Sequence, residues 1–162
     1  MEDLDIRYTF VTDGSYLRQW LYQPDVLKWF PVSTEKEIDD AIQCWMGYCR
    51  YSCSLTATLH NVPCGIGTLF LMPYRKVAHQ AIFKVVVDPK WQKKGIGEAL
   101  IRNLKHLAKN YFRLDLIGIE IFEGNPILSL LKKQGFQEIY RQENYIKDGL
   151  KSLARIYMEV EL

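Results

Sequence analysis

The sequence contains one segment whose residue types and spacing suit the binding of an anion, residues 92–97, which read Gln-Lys-Lys-Gly-Ile-Gly. Its two glycines carry no side chain, so the backbone can turn tightly and approach a ligand closely. Lys93 and Lys94 add positive charge beside them. An apolar repeat that begins at Ile96 predicts a helix, whose free N–H groups and dipole favour negative charge at its start. Together these features favour a diphosphate ligand.

Three kinds of phosphate-binding loop could use such a segment. A Walker loop requires Gly-x-x-x-x-Gly-Lys followed by Ser or Thr, and the sequence lacks that pattern. The dinucleotide fingerprint requires a third small residue after Gly-x-Gly-x-x, where this chain has Leu100. An acyl-CoA loop has Gln or Arg, two further residues and then Gly-x-Gly or Gly-x-Ala, and residues 92–97 match it fully. A plain glycine-rich turn into a helix is the remaining alternative.

The elements that position this segment follow from the spacing of apolar residues. A strand is predicted over residues 80–87, and its end, residues 85–87, is apolar on both faces, which is typical of a central strand. Residues 96–111 have the period of an amphipathic helix. Asp13 or Ser15 is expected to cap the first helix. The order β-α-α-β-β-β-α-β-α-β-β is predicted, with strands over residues 6–11, 52–59, 66–72, 80–87, 114–122, 136–146 and 150–160, helices over residues 13–22, 34–49, 96–111 and 126–134, and a turn over residues 61–65.

This context resembles the central motif of the GNAT acetyltransferase superfamily, in which a buried strand ending at Val87 leads through Asp88-Pro89 to Gln92. A second motif of that superfamily, Asn followed by a short helix that ends in Gly-Phe, is matched by Asn125 and by Gly135-Phe136. The order of elements is similar along almost the whole chain. The sequence is therefore identified by resemblance as a member of that superfamily, although no motif fixes a subfamily.

The resemblance implies both a fold and an activity. The fold would be a single α/β (α+β) domain over residues 1–162, with a mixed central sheet of about six or seven strands flanked by about four helices. The activity would be that of an N-acetyltransferase, which moves an acetyl group from acetyl-CoA directly to a primary amine. That amine could be a protein N-terminus, a lysine or a small amine. Acetyl-CoA would be the co-substrate, and no metal is required.

The resemblance also implies which residues hold acetyl-CoA. The backbones of Val85, Val86 and Val87 would hydrogen-bond the pantetheine arm like an added strand. Asn125 would reach the same arm from the end of the neighbouring strand. The two central strands would splay apart there and leave room for the thioester. The pyrophosphate would be held by Gln92, Lys93, Lys94, Gly95, Ile96, Gly97 and Glu98.

Glu120 is the preferred general base, and a base is needed because an ammonium has no lone pair with which to attack the thioester. It lies five residues before Asn125, the spacing at which ribosomal-protein N-terminal acetyltransferases place a catalytic glutamate. Its apolar neighbours, Ile119 and Ile121, would desolvate its carboxylate and make it a better proton acceptor. Two alternatives stay open, namely an outward, solvated glutamate and a chain of water molecules that carries the proton instead.

The sequence departs from the superfamily at the general acid. A tyrosine usually stands five residues before the closing Phe136, and this chain has Leu131 there, followed by Lys132. Since leucine cannot donate a proton, either another residue supplies it or the thiolate leaves unassisted. Tyr140 and Tyr145 are candidate donors. The departure keeps open a second class of function, a non-catalytic acyl-CoA-binding module with a regulatory or scaffold role.

Three bulky residues are candidates for the acceptor side of the site. Trp29, Phe30 and Pro31 lie in the loop between the first two predicted helices, where related proteins shape the acceptor pocket. They could form an aromatic wall of that pocket, or they could cap the core. The sequence does not fix which amine is the acceptor.

Composition narrows the classes of partner. The chain of 162 residues suits one domain, and its net charge of +2 comes from interspersed acids and bases rather than the basic stripe of a duplex-binding domain. We therefore expect no nucleic-acid partner. The four cysteines include no Cys-x-x-Cys pair, so no metal site is expected. Met1 to Asp5 lack a signal pattern, and no apolar run approaches the roughly 20 residues of a membrane span. We expect a cytoplasmic protein without a membrane partner that could form a homodimer.

Overall fold

The computed structural model describes residues 3–162 and shows in them one mixed sheet of seven strands with helices on both faces. The strands are β1 (Leu4–Tyr8), β2 (Ser54–Leu59), β3 (Val62–Leu71), β4 (Gln80–Val87), β5 (Leu116–Phe122), β6 (Gln137–Asp148) and β7 (Lys151–Glu161). The helices are α1 (Gly14–Leu21), α2 (Pro24–Leu27), α3 (Glu35–Met46), α4 (Ile96–Asn110) and α5 (Ile127–Lys133). The predicted order of elements is confirmed, and the short helix α2 is the element that the sequence patterns did not predict.

The order of strands creates a gap at the centre of the sheet. That order is β1-β2-β3-β4-β5-β7-β6, and neighbouring strands are antiparallel except for β4 and β5. These two strands are parallel and pair only over residues 80–82 and 116–118. Both strands then continue, to Val87 and to Phe122, without pairing with each other. The expected splay of the central strands is therefore present.

Two apolar layers hold the strands on either side of this gap. Helices α4 and α5 cover one face of the sheet, where Leu100 is fully buried, and helices α1 to α3 cover the other, where Leu17 is fully buried. Complete burial of such a leucine is worth about 1.5–3 kcal/mol relative to exposure. Side chains alternate along β4, so that Phe83 joins the α4 layer and Val86 the layer of α1 to α3.

Gly67 in β3 lets α4 approach the sheet closely. A Cβ atom at this position would lie 2.8 Å from Leu104 Cδ1, well inside van der Waals contact. Gly65, which pairs with Val87 at the end of β4, allows a similar approach of Ile96 at the start of α4, where its own Cβ would lie 3.2 Å from Ile96 Cγ2.

Some predicted boundaries differ from the structure. The turn predicted over residues 61–65 is wrong, because β3 already begins at Val62. The chain reverses instead through His60 and Asn61, whose φ angles of 49° and 65° are those of a tight hairpin turn. The strand predicted over residues 6–11 lies earlier in the chain, as β1.

Strand β2 is buried on both faces, although its apolar and polar residues alternate. All six residues from Ser54 to Leu59 are buried, because helices cover the face that carries the hydroxyl groups. These hydroxyls find partners within the layer. Trp45 Nε1 donates to Thr68 Oγ1 at 2.6 Å, and Thr68 Oγ1 lies 2.6 Å from Ser54 Oγ. A buried polar group that is hydrogen-bonded in this way avoids the penalty of an unsatisfied one.

Asp13 joins β1 to the same buried layer rather than capping α1. Its side chain makes no capping hydrogen bond to that helix. Its carboxylate accepts two hydrogen bonds from Arg7, at 2.8 and 3.0 Å, and one each from Phe10 N and Thr56 Oγ1, both at 2.9 Å. The bond to Phe10 turns the chain and ends β1. Burial opposes ionisation of the carboxyl group, but these hydrogen bonds outweigh it and lower the pKa of Asp13.

Replacing this carboxylate is expected to destabilise the fold. Asp13→Asn leaves the Arg7 guanidinium without its anion, and we expect a loss of about 2–4 kcal/mol at neutral pH, since Arg7 is partly exposed. Because the pKa of Asp13 is lowered in the fold, its contribution is present above the ordinary carboxyl pKa. The contribution is lost as the pH falls through the lowered value. Urea unfolding of wild type and variant across pH should show the difference shrinking on acidification.

Asp115 provides the matched control, because its exposed side chain makes none of the ion pairs among residues 3–162. We expect Asp115→Asn to change stability by no more than about 0.5 kcal/mol at any pH. A constant difference between wild type and Asp13→Asn from neutral to acidic pH would contradict this role of Asp13.

Candidate active site

A cavity of about 490 Å³ fills the gap between β4 and β5. Its walls come from both strands, from the segment before α4, from the start of α5, from the loop after α2 and from β6. The lining residues are Val26, Trp29, Phe30, Pro31, Lys84, Val85, Val86, Val87, Gln92, Lys93, Gly95, Gly97, Glu98, Ile119, Glu120, Ile121, Phe122, Asn125, Pro126, Ile127, Leu130 and Tyr145. Most of the residues proposed from the sequence therefore meet in one cavity.

The anion-binding segment forms the tight turn that its glycines predict. Gly95 has a φ of +86°, a conformation that side chains rarely adopt, and it directly precedes the first residue of α4. The turn is tied to the end of β4, because Gln92 Nε2 donates to the carbonyl oxygen of Val87 at 3.3 Å. The N–H groups at the start of α4 therefore lie at the end of the cavity next to β4.

Two of the seven residues proposed for the pyrophosphate do not line the cavity. Ile96 is only 1% exposed and packs in the core beneath α4, and Lys94 is exposed outside the cavity lining. The five that line it are Gln92, Lys93, Gly95, Gly97 and Glu98. The side chain of Ile96 thus anchors the helix, which leaves only its backbone for a ligand.

The end of β4 presents a free edge to the cavity. Val85, Val86 and Val87 all line it, and β4 pairs with β3 as far as Val87. On the opposite edge of β4, no strand among residues 3–162 pairs beyond Ile82. Backbone groups on this edge could therefore pair with an extended ligand, as in the addition of a strand.

Asn125 stands on the opposite wall, at the end of β5. Its Oδ1 atom accepts a hydrogen bond from Ile127 N at 3.1 Å, which orients the side chain at the start of α5. Its amide nitrogen donates to no other residue within the described part of the chain, and it lies at a position that lines the cavity. The position is thus suited to a carbonyl group of a ligand.

Glu120 lines the cavity from β5, and its side chain is 35% exposed. The prediction that Ile119 and Ile121 desolvate this carboxylate is wrong. Both side chains belong to the core beneath α4, on the opposite face of the strand. The group that contacts the carboxylate is Arg155, whose Nη1 atom donates to Glu120 Oε1 at 3.1 Å. Glu120 is thus a carboxylate held in place by a guanidinium at the edge of the cavity.

Arg155 is the functional neighbour that the sequence patterns did not reveal. It lies on β7, and its second terminal nitrogen donates to Gln142 Oε1 at 2.7 Å. Its guanidinium also lies 4.1 Å from the ring centroid of Tyr145, a distance typical of cation–π contact. The sequence signal for Arg155 was a charged residue within the apolar run of β7. Its partner on β5 could not be predicted, because that contact depends on the pairing of strands that are distant in the sequence.

Only one of the two candidate proton donors reaches the cavity. Tyr145 lines it, whereas Tyr140 stacks on Tyr157 at a ring separation of 5.3 Å outside the lining.

The three residues proposed for the acceptor side of the site also reach the cavity. Trp29, Phe30 and Pro31 all line the cavity, and Phe30 also packs 6.3 Å from Trp45. All three residues therefore form a wall of the cavity, and Phe30 also packs against the core beneath α1 to α3.

The side chain at the position usual for the general acid, Leu131, does not face the cavity. Leu131 is fully buried in the core beneath α4, and it does not line the cavity. The residues of α5 that line the cavity are Ile127 and Leu130, three positions apart and therefore on one face of the helix. A residue at position 131 is therefore not placed to donate a proton in the cavity, because the phase of the helix directs Leu130 there instead.

A pair of substitutions on α5 tests this assignment. Leu131→Tyr would place a larger ring in a filled core, and we expect it to destabilise the fold by about 1–3 kcal/mol. Leu130→Tyr would place its ring at the cavity, so we expect near-wild-type stability together with altered CoA binding or turnover. Urea unfolding and CoA titration of both variants would check this, and equal stability of the two variants would contradict the assignment.

Comparison with known proteins agrees with the geometry of the site. Residues 16–136 match the Acetyltransferase (GNAT) family, and this match spans well over half of the chain. The chain therefore belongs to the acetyltransferase (GNAT) family. It is also 34% identical to the L-amino acid N-acetyltransferase AaaT of Escherichia coli (strain K12) over 61 residues. That alignment covers 37% of this chain and only 38% of the relative.

Two solved structures share the fold over nearly their whole length. The ribosomal-protein-alanine N-acetyltransferase from Brucella melitensis superposes with a TM-score of 0.82 at 20% identity, covering 98% of this chain and 99% of that one. The structure of yncA from Salmonella typhimurium with its cofactor acetyl-CoA gives a TM-score of 0.83 at 17% identity, covering 99% and 94%. The predicted GNAT fold is therefore confirmed.

Among residues 3–162, no three His, Cys, Asp or Glu side chains are grouped so that they could hold a metal ion. None of the helices described above is both long enough and apolar enough to cross a membrane.

Proposed function

We propose that this protein transfers the acetyl group of acetyl-CoA directly to a primary amine. The observation that carries the proposal is the cavity at the splay of β4 and β5. It brings together the turn before α4, the free edge of β4 and the carboxylate of Glu120. The family to which the chain belongs supports the same donor.

The residues of the cavity suit the successive parts of acetyl-CoA. The pyrophosphate would lie against the backbone N–H groups at Gly95 and Gly97, with Lys93 close by. The pantetheine arm would extend along Val85, Val86 and Val87, and the Asn125 amide would donate to one of its carbonyl groups. This path directs the thioester into the gap between the strands, on the side of Glu120.

Glu120 and Tyr145, which both line the cavity, are the groups proposed to move protons during transfer. The amine nitrogen forms a bond to the acetyl carbon, and the bond between carbon and sulfur breaks. The proton lost by the amine passes to the Glu120 carboxylate, directly or through a water molecule. Arg155 positions that carboxylate. The CoA thiolate leaves, and the phenol of Tyr145 is the candidate that could protonate it.

The acceptor is proposed to be a primary amine, with no narrower class. One relative is named an L-amino acid N-acetyltransferase and another a ribosomal-protein-alanine N-acetyltransferase, so relatives differ in acceptor. The activity can be tested by following thiol release from acetyl-CoA with amino acids, polyamines, antibiotics and peptides with free N-termini. We expect at least one class to release thiol above the rate without amine. CoA binding without thiol release for every class would contradict the proposal.

A further inference from the structure

The cavity contains, opposite Glu120, a cation to which the proposed transfer gives no role. Lys84 lies on β4 and lines the cavity. The last parallel pair of β4 and β5 joins Ile82 to Gly118. Two residues further along each strand stand Lys84 and Glu120, on the same face as that pair, because side chains two apart share a face. A cation and a carboxylate thus face the gap from opposite strands.

In the part of the chain that the structure describes, no carboxylate forms an ion pair with Lys84. None of the ion pairs among residues 3–162 includes it. Its ammonium lies 5.0 Å from the centroid of the Phe70 ring, a cation–π contact that holds the group without neutralising its charge. The charge of Lys84 is therefore available to an anionic group that enters the cavity.

An apolar side cavity adjoins the main one at Lys84. It has a volume of about 110 Å³, and Phe30, Pro31 and Lys84 line both cavities. Its other lining residues are Leu21, Val32, Ala41, Cys44, Trp45 and Phe70. A ligand held at Lys84 would therefore have an apolar space within reach of its substituent.

We propose that Lys84 binds the carboxylate of an acceptor that is an amino acid with an apolar side chain. This inference rests on the proposed function, since it assigns the acceptor to the same cavity. The amino group would lie toward Glu120 and the carboxylate toward Lys84, so that the two charges of the acceptor meet opposite charges. The side chain would lie against Phe30 and extend into the side cavity.

The same arrangement disfavours other amines. A polyamine would bring a second ammonium toward Lys84, and like charges in a partly enclosed cavity repel each other. The pyrophosphate of CoA is an unsuitable partner for Lys84. Its proposed site lies beyond Val87, three residues and about 10 Å further along the strand direction.

The test compares amino acids with the amines that lack only the carboxylate. L-Leucine is paired with 3-methylbutylamine, L-methionine with 3-(methylsulfanyl)propylamine and L-phenylalanine with 2-phenylethylamine. The ratio of kcat/KM within each pair is measured by thiol release for wild type and for Lys84→Met. Because both proteins receive the same two acceptors, differences in the basicity of the amines cancel between them.

We expect wild type to favour the amino acid more strongly than Lys84→Met does, by roughly 10-fold or more, the scale of a charge-assisted hydrogen bond. In Lys84→Met, kcat/KM should fall for the amino acids but not for the carboxylate-free amines, and the affinity for CoA should stay close to that of wild type. Lys109→Met, which alters an exposed lysine in the last turn of α4, is the control and should leave every ratio as in wild type.

Two results would overturn the inference while leaving the proposed function intact. The first is an equal ratio in wild type and Lys84→Met, including the case in which both members of each pair lose activity equally and CoA binds more weakly. The second is a wild type that acetylates spermidine or a peptide N-terminus faster than any amino acid. Absence of thiol release with every amine, with CoA binding retained, would instead overturn the proposed function itself.

Discussion

Gly97→Leu is expected to weaken CoA binding by roughly 100-fold without unfolding the protein, on the scale of one or two charge-assisted hydrogen bonds. A Cβ atom at Gly97 would meet only Leu130 and Val87, both at 3.7 Å, which is ordinary van der Waals contact. The rest of the leucine side chain would enter the cavity where the pyrophosphate is proposed to lie. Isothermal calorimetry with CoA would measure the loss.

The control for this substitution is Gly47→Leu. Gly47 has a helical φ of −60°, and a Cβ atom there would meet nothing within 4 Å. It does not line the cavity, so we expect wild-type affinity for CoA. Equal affinity of Gly97→Leu and wild type would remove the turn before α4 from the account of cofactor binding.

Gly95 gives a second view of the same turn. Its φ of +86° means that Gly95→Ala would be strained by about 1–2 kcal/mol, although nothing lies within 4 Å of the added Cβ. Gly149→Ala, at a φ of +61° in the turn between β6 and β7, imposes a similar strain away from the cavity. We expect CoA affinity to fall only for Gly95→Ala, since only there does the strain act on the proposed pyrophosphate site.

Glu120→Gln is expected to lower turnover by roughly 100-fold or more near neutral pH, the usual scale for loss of a general base. Glutamine retains the shape and can still accept the hydrogen bond from Arg155, so the site should stay assembled. The defect should shrink at alkaline pH, because the deprotonated amine then becomes abundant without a base. The measurement is kcat against pH for both proteins with an acceptor found by thiol release.

Glu138→Gln is the matched control, because Glu138 is an exposed carboxylate on β6 that does not line the cavity. Its pH profile should coincide with that of wild type. An unchanged rate for Glu120→Gln near neutral pH would assign proton removal to water molecules, and a defect independent of pH would indicate a role for Glu120 in positioning the acceptor.

The parts of the site that could be predicted from the sequence are those set by local geometry. The turn before α4 depends on two glycines and on a helix that starts between them, and all of these are visible within residues 92–97. The central position of strand β4 could also be predicted, because a strand with apolar residues on both faces must be covered on both faces. Asn125 was implied by the family resemblance, whose motif places an asparagine before a short helix, and α5 begins just after it.

The parts that could not be predicted depend on contacts between distant residues. Arg155 meets Glu120 only because β7 pairs with β5, a pairing that no local pattern specifies. The position of Leu131 has a different, local origin. Counting back from the closing phenylalanine ignores the rotation of α5, and one residue along a helix turns a side chain by about 100°, enough to move Leu130 to the cavity and Leu131 to the core.

The most direct test of the account is a single-turnover experiment in which excess protein meets acetyl-CoA labelled with ¹³C in the acetyl group, together with an accepted amine. Mass spectrometry of the small molecules and of the intact protein would follow the label. Direct transfer in the cavity between β4 and β5 predicts one labelled N-acetyl amine for each CoA thiol released, with no label on the protein. Labelled protein that forms before the product, or thiol release without a labelled amide, would contradict it.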